Sequence, residues 1–167
     1  MDVVIADTEH LLDEHHRIRR EVFIDEQGVT EDEEWDGRDE LPGTLRVVGL
    51  QDGEVVAAGR LLDLDSRDPD SRDLDSPDPD TGDLDSIVAH LGRVAVAASH
   101  RGTGLGRELM VGLERLAAEH TAGPLRLLLD AQEYASGFYA SLGYQRTARE
   151  RFLDARIWHV EMAKRVR

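Results

Sequence analysis

The chain contains no cysteine, few aromatic residues and no long apolar run. The absence of cysteine excludes disulfides and thiolate metal sites, and it favours a cytoplasmic address. It also excludes a cysteine nucleophile for group transfer. Because no apolar run approaches the length of a membrane span and no basic segment precedes an apolar leader, we expect no membrane partner.

Basic charge is scarce as well. Lysine and arginine together number 20, aspartate and glutamate number 35, and the formal net charge is −15. Lys164 is the only lysine. This balance argues against a nucleic-acid partner. An acidic, lysine-poor surface stays hydrated where salt screens repulsion, so the composition favours an extreme halophile, with a generic acidic protein as the alternative.

The length of 167 residues predicts one domain spanning residues 1–167. Residues 63–86 differ from the rest: they hold ten aspartates, two arginines and three prolines, and they carry −8 of the net charge. This composition predicts a disordered, acidic, Asp-rich insertion between two strands. Its aspartates lack the spacing of a calcium loop and the histidines lack ligand spacing, so we predict no metal.

Hydrophobic periodicity predicts strands and helices that alternate irregularly along the chain. Asp52-Gly53 is typical of a two-residue hairpin turn between two β-rich runs. The predicted strands cover residues 2–6, 44–51, 54–62, 87–98, 125–129, 144–151 and 157–163. The predicted helices cover residues 8–22, the stretch from the glycines near 105 to about 120, and residues 133–142; residues 23–39 are irregular. Such a mixture predicts an α/β (α+β) fold.

Three alternating glycines, Gly102, Gly104 and Gly106, lie between an apolar strand and a helix with one apolar face. The first N–H groups of a helix have no internal partner and carry partial positive charge. Glycine lets the backbone approach a phosphate closely. Arg101 and Arg107 add positive charge on both sides. The segment therefore predicts a site for a phosphorylated ligand.

Three phosphate-binding loops compete for this segment. A P-loop requires a lysine after the glycines, and none is present. The dinucleotide fingerprint requires a different glycine spacing and a position near the start of a βαβ unit. Residues 101–106 match the pyrophosphate turn Gln/Arg-x-x-Gly-x-Gly/Ala of the GNAT acetyltransferases. An ordinary glycine-rich turn before a helix is the remaining alternative.

The chain resembles the GNAT family from end to end, and most closely its ElaA-like branch. The resemblance implies the GNAT fold: a central mixed, mostly antiparallel sheet of six to seven strands, with about four helices, splayed at the acetyl-CoA site. Only residues 63–86 lie wholly outside the resemblance. The matching blocks, in family order, are residues 19–28, 34–39, 92–96, 129–132, 137–144 and 157–162.

The resemblance implies which residues hold acetyl-CoA. Backbone groups of one splayed strand would bind the pantetheine arm, and the glycine turn would bind the pyrophosphate. A family asparagine that contacts CoA or orders a strand end is replaced here by glutamine. The implied residues are Val94, Ala95, Val96, Arg101, Gly102, Thr103, Gly104, Leu105, Gly106, Arg107, Gln132 and Phe138.

The resemblance also implies catalytic residues. Tyr139 stands where the family places a tyrosine whose hydroxyl protonates the departing thiolate. Glu26 is the first candidate for the general base, Glu34 and His159 are rivals, and water-mediated deprotonation would need no single base. Related proteins carry a histidine where this chain has Thr44, which leaves the acceptor side open.

We therefore predict an acetyl-CoA-dependent N-acetyltransferase that acts by direct transfer. The acceptor is expected to be a primary amine of a small molecule or peptide, and family members are often homodimers. Two alternatives remain. One is an acyltransferase with a longer acyl donor, and the other is a non-catalytic CoA-binding or regulatory module.

Overall fold

The computed structural model describes residues 1–64 and 87–166. Within these ranges the chain forms one sheet of eight strands and four α-helices. The strands are β1 (Asp2–Ile5), β2 (Leu45–Gln51), β3 (Glu54–Leu62), β4 (Ile87–Val96), β5 (Leu125–Gln132), β6 (Gln145–Arg146), β7 (Phe152–Asp154) and β8 (Ile157–Arg165). The helices are α1 (Glu9–Arg19), α2 (Glu31–Glu34), α3 (Leu105–His120) and α4 (Ser136–Ala140).

The sheet is mixed and mostly antiparallel, as predicted. Its order is β1-β2-β3-β4-β5-β8-β6, with β7 paired to β8, and only β4 and β5 run parallel among the described strands. The predicted hairpin at Asp52-Gly53 is confirmed, because both residues have positive φ, at 52° and 85°. Positive φ at both central residues is the requirement of the type I′ turn that joins twisted strands.

The prediction of one strand over residues 144–151 is wrong, and this accounts for the eight strands where six to seven were expected. Two short strands, β6 and β7, replace it. After β6, Thr147 donates its N–H to the carbonyl of Glu161 and its hydroxyl to the Glu161 carboxylate. Ala155 and Arg156, both at positive φ, then turn the chain from β7 into β8.

Helices cover both faces of the sheet. Alternate residues of a strand point to opposite faces. Val47 and Ala57 belong to the larger buried cluster with α3, whereas their neighbours Val48 and Ala58 belong to a second buried cluster with Ile18 of α1. We call these the α3 face and the α1 face of the sheet.

The first helix begins where predicted, since the Thr8 hydroxyl caps the Leu11 N–H at 3.3 Å. It ends earlier than the predicted residue 22, because residues Arg20–Glu26 continue as a π-helix. The segment predicted as irregular, residues 23–39, therefore contains the end of this π-helix, α2 and a short 3₁₀ turn. Thr30 and Glu33 form a reciprocal capping box that starts α2.

The predicted insertion at 63–86 lies outside the described residues except at its first two positions. Leu64 is buried in the core, and its N–H donates to the Gly43 carbonyl at 3.3 Å. Asp63 follows β3 directly and contacts His90. Within the described part of the chain, no helix combines the length and apolarity that a bilayer span would require.

Candidate functional site

The sheet opens into a V between β4 and β5. The two strands pair in parallel only from Ile87↔Leu125 to Leu91↔Leu129. Beyond Leu91, β4 stays with β3, while β5 continues to Gln132 along β8. The opening leaves unpaired strand edges facing each other, which is where an extended ligand could insert between the strands.

A cavity of about 240 Å³ lies at this opening. Strand register assigns several of its lining residues to the α1 face, where they stand opposite one another on four neighbouring strands. These residues are Arg60 and Leu62 of β3, His90 and Gly92 of β4, Asp130 and Gln132 of β5, and His159 of β8. Phe23, Gln27 and Tyr139 close other sides of the cavity.

A β-bulge at Arg93 interrupts the pairing of β4 with β3. The register shifts between Ala58 and Arg60, and Arg93 has φ of +54°, which is unfavourable for a residue with a side chain. Beyond the bulge, Ala97 donates its N–H to Val56. Because hydrogen-bonding direction alternates along a strand, the N–H and C=O groups of Val96 then point away from β3, towards the opening.

A buried network of ions holds this bulge. Glu34 is 1% exposed and lies between Arg19, at 2.5 Å, and the Arg93 Nε, at 2.8 Å. Arg93 also donates to the backbone carbonyl of Glu33 at 3.0 Å. Burial raises the pKa of Glu34 against the opposing charges of the two arginines. Arg60 donates two hydrogen bonds to the Asp36 carboxylate. Burial alone would raise the pKa of Asp36, but the contact with Arg60 outweighs it, and the pKa is lowered.

The glycine turn has the features of an anion site. Gly102 and Gly104 both have positive φ, at 75° and 91°, and α3 begins directly afterwards with no side chain capping it. Among the described residues, the backbone N–H groups of 102–106 have no hydrogen-bond acceptor, whereas those of Arg101 and Arg107 are bonded. Unsatisfied N–H groups at a helix N-terminus are suited to a phosphate group.

Side chains around the turn hold its shape. Thr103 donates its hydroxyl to the His100 carbonyl at 2.7 Å. A Cβ added at Gly106 would lie 3.4 Å from the Phe138 ring, so a larger residue would crowd this contact. Leu105 is 5% exposed and packs in the core, which fixes the start of α3. Arg107 donates to the Ser141 hydroxyl at 3.0 Å.

Glu26 lies beside the turn and does not line the cavity. Its carboxylate forms a two-point ion pair with Arg101, at 2.8 and 3.0 Å, on the protein surface. Arg101 also donates to the Val96 carbonyl at 2.9 Å. The pair therefore joins the π-helix to the end of β4 and partly compensates the positive charge predicted for the turn.

Tyr139 is brought to the cavity by α4. Its ring packs edge-on against Phe138, with centroids 5.1 Å apart, and against Tyr144. Burial raises the pKa of Tyr139 to about 12, so the phenol keeps its proton at neutral pH. A protonated hydroxyl in a cavity wall is the state required of a general acid.

The other predicted residues fall into two groups. Gln132 lines the cavity and donates to the side chain of Gln27 at 2.8 Å, joining the end of β5 to the π-helix. Val94 also lines the cavity, and Ala95 is buried on the α1 face. Glu34 belongs to the ion network and does not line the cavity.

Sequence reasoning missed His90 and Asp63. His90 lines the cavity, and its Nδ1 lies 3.0 Å from the Asp63 carboxylate. The two-residue alternation of β4 could have assigned His90 to the same face as Gly92. His159, a predicted rival base, also lines the cavity, and its Nδ1 donates to the Ile157 carbonyl at 2.9 Å.

A family model for the GNAT acetyltransferase domain matches residues 81–166. An uncharacterized N-acetyltransferase of Bacillus subtilis, YjcF, is 34% identical over 98% of this chain and 99% of its own length. The chain belongs to the GNAT acetyltransferase family. The mixed sheet with its helices on both faces is therefore a GNAT fold.

Solved structures share this GNAT fold. An acyl-CoA N-acyltransferase from Pseudomonas aeruginosa superposes with a TM-score of 0.73 at 26% identity, covering 98% of this chain and 99% of that chain. ElaA of Escherichia coli has a TM-score of 0.72 at 23% identity, covering 98% and 97%. An aminoglycoside 6′-N-acetyltransferase solved with coenzyme A has a TM-score of 0.66 at 17% identity, covering 99% and 97%.

Proposed function

We propose that the protein transfers an acetyl group from acetyl-CoA directly to a primary amine of a small molecule or peptide. The observation that carries the proposal is the row of N–H groups at residues 102–106 that have no acceptor among the described residues. They lie at the N-terminus of α3, and the adjoining β4 leads into the cavity that Tyr139 lines. Diphosphate, thioester and acceptor would thus occupy consecutive parts of one site.

In this proposal the N–H groups of 102–106 bind the diphosphate, and Arg107 holds the turn against α4. Backbone groups of Val94 and Val96 bind the pantetheine arm, and one N–H polarises the thioester carbonyl. The neutral amine attacks the carbonyl carbon, the C–S bond breaks, and Tyr139 donates a proton to the departing thiolate.

The cavity supports an amine acceptor. Asp130 and Asp154 line it, and carboxylates attract an ammonium group. The three arginines in its wall each have an acidic partner: Arg60 binds Asp36 and Asp39, Arg93 binds Glu34, and Arg38 lies 3.6 Å from Asp63. The remaining charge thus favours a cationic substrate over an anionic one.

The proposal is tested by calorimetric titration with acetyl-CoA and with octanoyl-CoA, followed by thiol-release assays on a panel of amines. Because the chain has no cysteine, every thiol detected comes from CoA. Acetyl-CoA binding with amine-dependent thiol release supports the proposal. Binding without turnover on any amine supports a non-catalytic module, and preference for octanoyl-CoA supports a longer acyl donor.

A glycine substitution tests the turn itself. Gly104→Ala places a side chain at φ of +91° in the turn, which strains it and moves its N–H groups. We expect the Kd for acetyl-CoA to rise about tenfold, equivalent to about 1.4 kcal/mol. Gly53→Ala is the matched control, since Gly53 also has positive φ but lies in the β2–β3 hairpin. Equal affinities for both variants would contradict the diphosphate assignment.

We further infer from the composition that the protein works in a salt-rich cytoplasm. The support is the excess of 35 acidic over 20 basic residues and the single lysine. Surface carboxylates of this number keep a protein hydrated and soluble when salt screens their repulsion.

A further inference from the structure

A histidine–carboxylate pair that none of the predicted roles uses lies at the cavity wall: His90 lines the cavity, and Asp63 contacts His90 from behind that wall. His90 lies on β4 one residue before the last pairing with β5, at the apex of the opening. Asp63 follows the end of β3, opposite this point, because Leu62 pairs with His90. The pair thus stands where the strands begin to separate.

The contact between the two side chains defines which nitrogen carries the proton when the His90 imidazole is neutral. His90 Nδ1 lies 3.0 Å from Asp63 Oδ2. A carboxylate oxygen accepts hydrogen bonds, so Nδ1 carries the proton and Nε2 of the neutral ring keeps its lone pair. Asp63 holds this geometry with a left-handed backbone, at φ of +63°, and has a longer contact of 3.6 Å to Arg38.

We propose that His90 is the general base that deprotonates the acceptor ammonium, and that Asp63 is its positioning residue. The inference rests on the proposed function. The Asp63 carboxylate fixes the tautomer and stabilises the imidazolium that forms when Nε2 accepts a proton.

Two side chains, His90 and Tyr139, account for every proton that moves during the transfer. The ammonium loses one proton to His90 Nε2, which later releases it to solvent. The neutral amine forms a bond to the acetyl carbon and the C–S bond breaks. Tyr139 protonates the thiolate and recovers a proton from the new amide nitrogen. An ammonium and acetyl-CoA thus give an amide, CoA thiol and one proton.

His159 is the competing base in the same cavity. It is 8% exposed, it stacks on Phe152 with a centroid distance of 5.8 Å, and its Nδ1 partner is the neutral carbonyl of Ile157. The Nδ1 of His159 is thus bonded to a neutral carbonyl, whereas the Nδ1 of His90 faces a carboxylate. His90 also lies on β4 itself, the strand whose backbone would hold the thioester. The charged groups around His90 are Asp63, Arg38 and Asp130, the last lining the same cavity.

The first measurement is thiol release from acetyl-CoA by the unaltered protein with spermidine, glucosamine, lysine amide and glycylglycine. Lack of turnover with all four amines overturns the proposed function and this inference with it. Turnover with any of them provides the acceptor for the variants, so that failure of the inference alone can be recognised.

The second measurement compares His90→Gln, Asp63→Asn and His159→Gln with that acceptor. We expect His90→Gln to lower kcat/KM by about 10²-fold and to abolish the acidic limb of the kcat–pH profile at saturating amine. Asp63→Asn should lower kcat/KM about tenfold and move that limb to lower pH, because the imidazolium loses its anionic partner. His159→Gln should keep the limb.

The Kd for acetyl-CoA, measured by calorimetry, should stay within about twofold of the unaltered protein's value in all three variants. An unchanged Kd shows that the variants fold. Both His90 and Asp63 are part-exposed, at 38% and 29% of their side chains, so neither substitution empties the core. The inference is overturned if His90→Gln keeps the acidic limb, or if His159→Gln loses it.

Discussion

Tyr139 illustrates how the surroundings of a single residue support the role proposed for it. Its sequence position identified it as a candidate general acid. In the structure it lines the cavity, and its ring packs against Phe138 and Tyr144. Burial that raises the pKa of Tyr139 to about 12 keeps the hydroxyl protonated. The same burial destabilises a free phenolate, so the proposed mechanism requires rapid reprotonation after each donation.

Tyr139→Phe removes this hydroxyl and little else. We expect kcat to fall about 10²-fold while the Kd for acetyl-CoA is unchanged, because general acid catalysis contributes about 10²–10⁴ in rate. Steady-state kinetics and calorimetry measure the two quantities. Tyr134→Phe is the matched control: Tyr134 also lines the cavity but is 80% exposed, and its loss should leave kcat unaltered. Equal effects of both variants would remove Tyr139 from its role.

Glu26→Gln tests the base predicted from the resemblance. Since Glu26 faces Arg101 and not the cavity, we expect kcat to be retained. The Kd for acetyl-CoA should fall roughly threefold, because an exposed ion pair of about 0.2–1 kcal/mol no longer competes for Arg101. Glu21→Gln, which breaks the surface pair with Arg17, should change neither quantity. A loss of kcat by about 10²-fold in Glu26→Gln would restore it as the base.

At the scale of elements, α2 and the bulged β4 form one unit through buried charge. Glu34→Gln keeps the side-chain volume but leaves Arg93 and Arg19 buried with less compensation. We expect the free energy of unfolding, measured by urea denaturation, to fall by about 3–5 kcal/mol. Glu31→Gln is the control within the same helix, since its pair with Arg20 is exposed and should contribute less than about 1 kcal/mol. An equal loss of stability in both variants would contradict the stabilising role of the buried contacts between Glu34 and the two arginines.

Elements that depend on the backbone preferences of their own residues were predictable from the sequence. Elements that depend on contacts with residues distant in the chain were not. The Asp52-Gly53 hairpin and the start of α3 after Gly104 depend on backbone preferences of the residues themselves. Residues 144–151 are divided between β6 and β7, which pair with different parts of β8, a strand later in the chain. The π-helix at Arg20–Glu26 likewise has no periodic signal that separates it from α1.

At the scale of the whole molecule, net charge of −15 should make stability depend on salt. Screening shortens the Debye length from about 10 Å at 0.1 M to about 3 Å at 1 M, so repulsion among surface carboxylates weakens. We expect Tm to rise by roughly 4–8 °C between these KCl concentrations, which corresponds to about 2 kcal/mol. Sucrose at equal osmolality is the control for exclusion effects. A flat or falling Tm in KCl would contradict the inference of a salt-rich setting.

The amino-acid sequence by itself determined the mixed α/β fold class, the glycine turn between β4 and α3, and the family to which the chain belongs. These follow from glycine placement and hydrophobic period, which act over a few neighbouring residues. Only the tertiary structure decided that Glu26 binds Arg101, that Glu34 holds Arg93 at the bulge, and that Asp63 contacts the cavity-lining His90. Those contacts join residues far apart in the chain, and a shift of one residue at a bulge changes which side chains face the site.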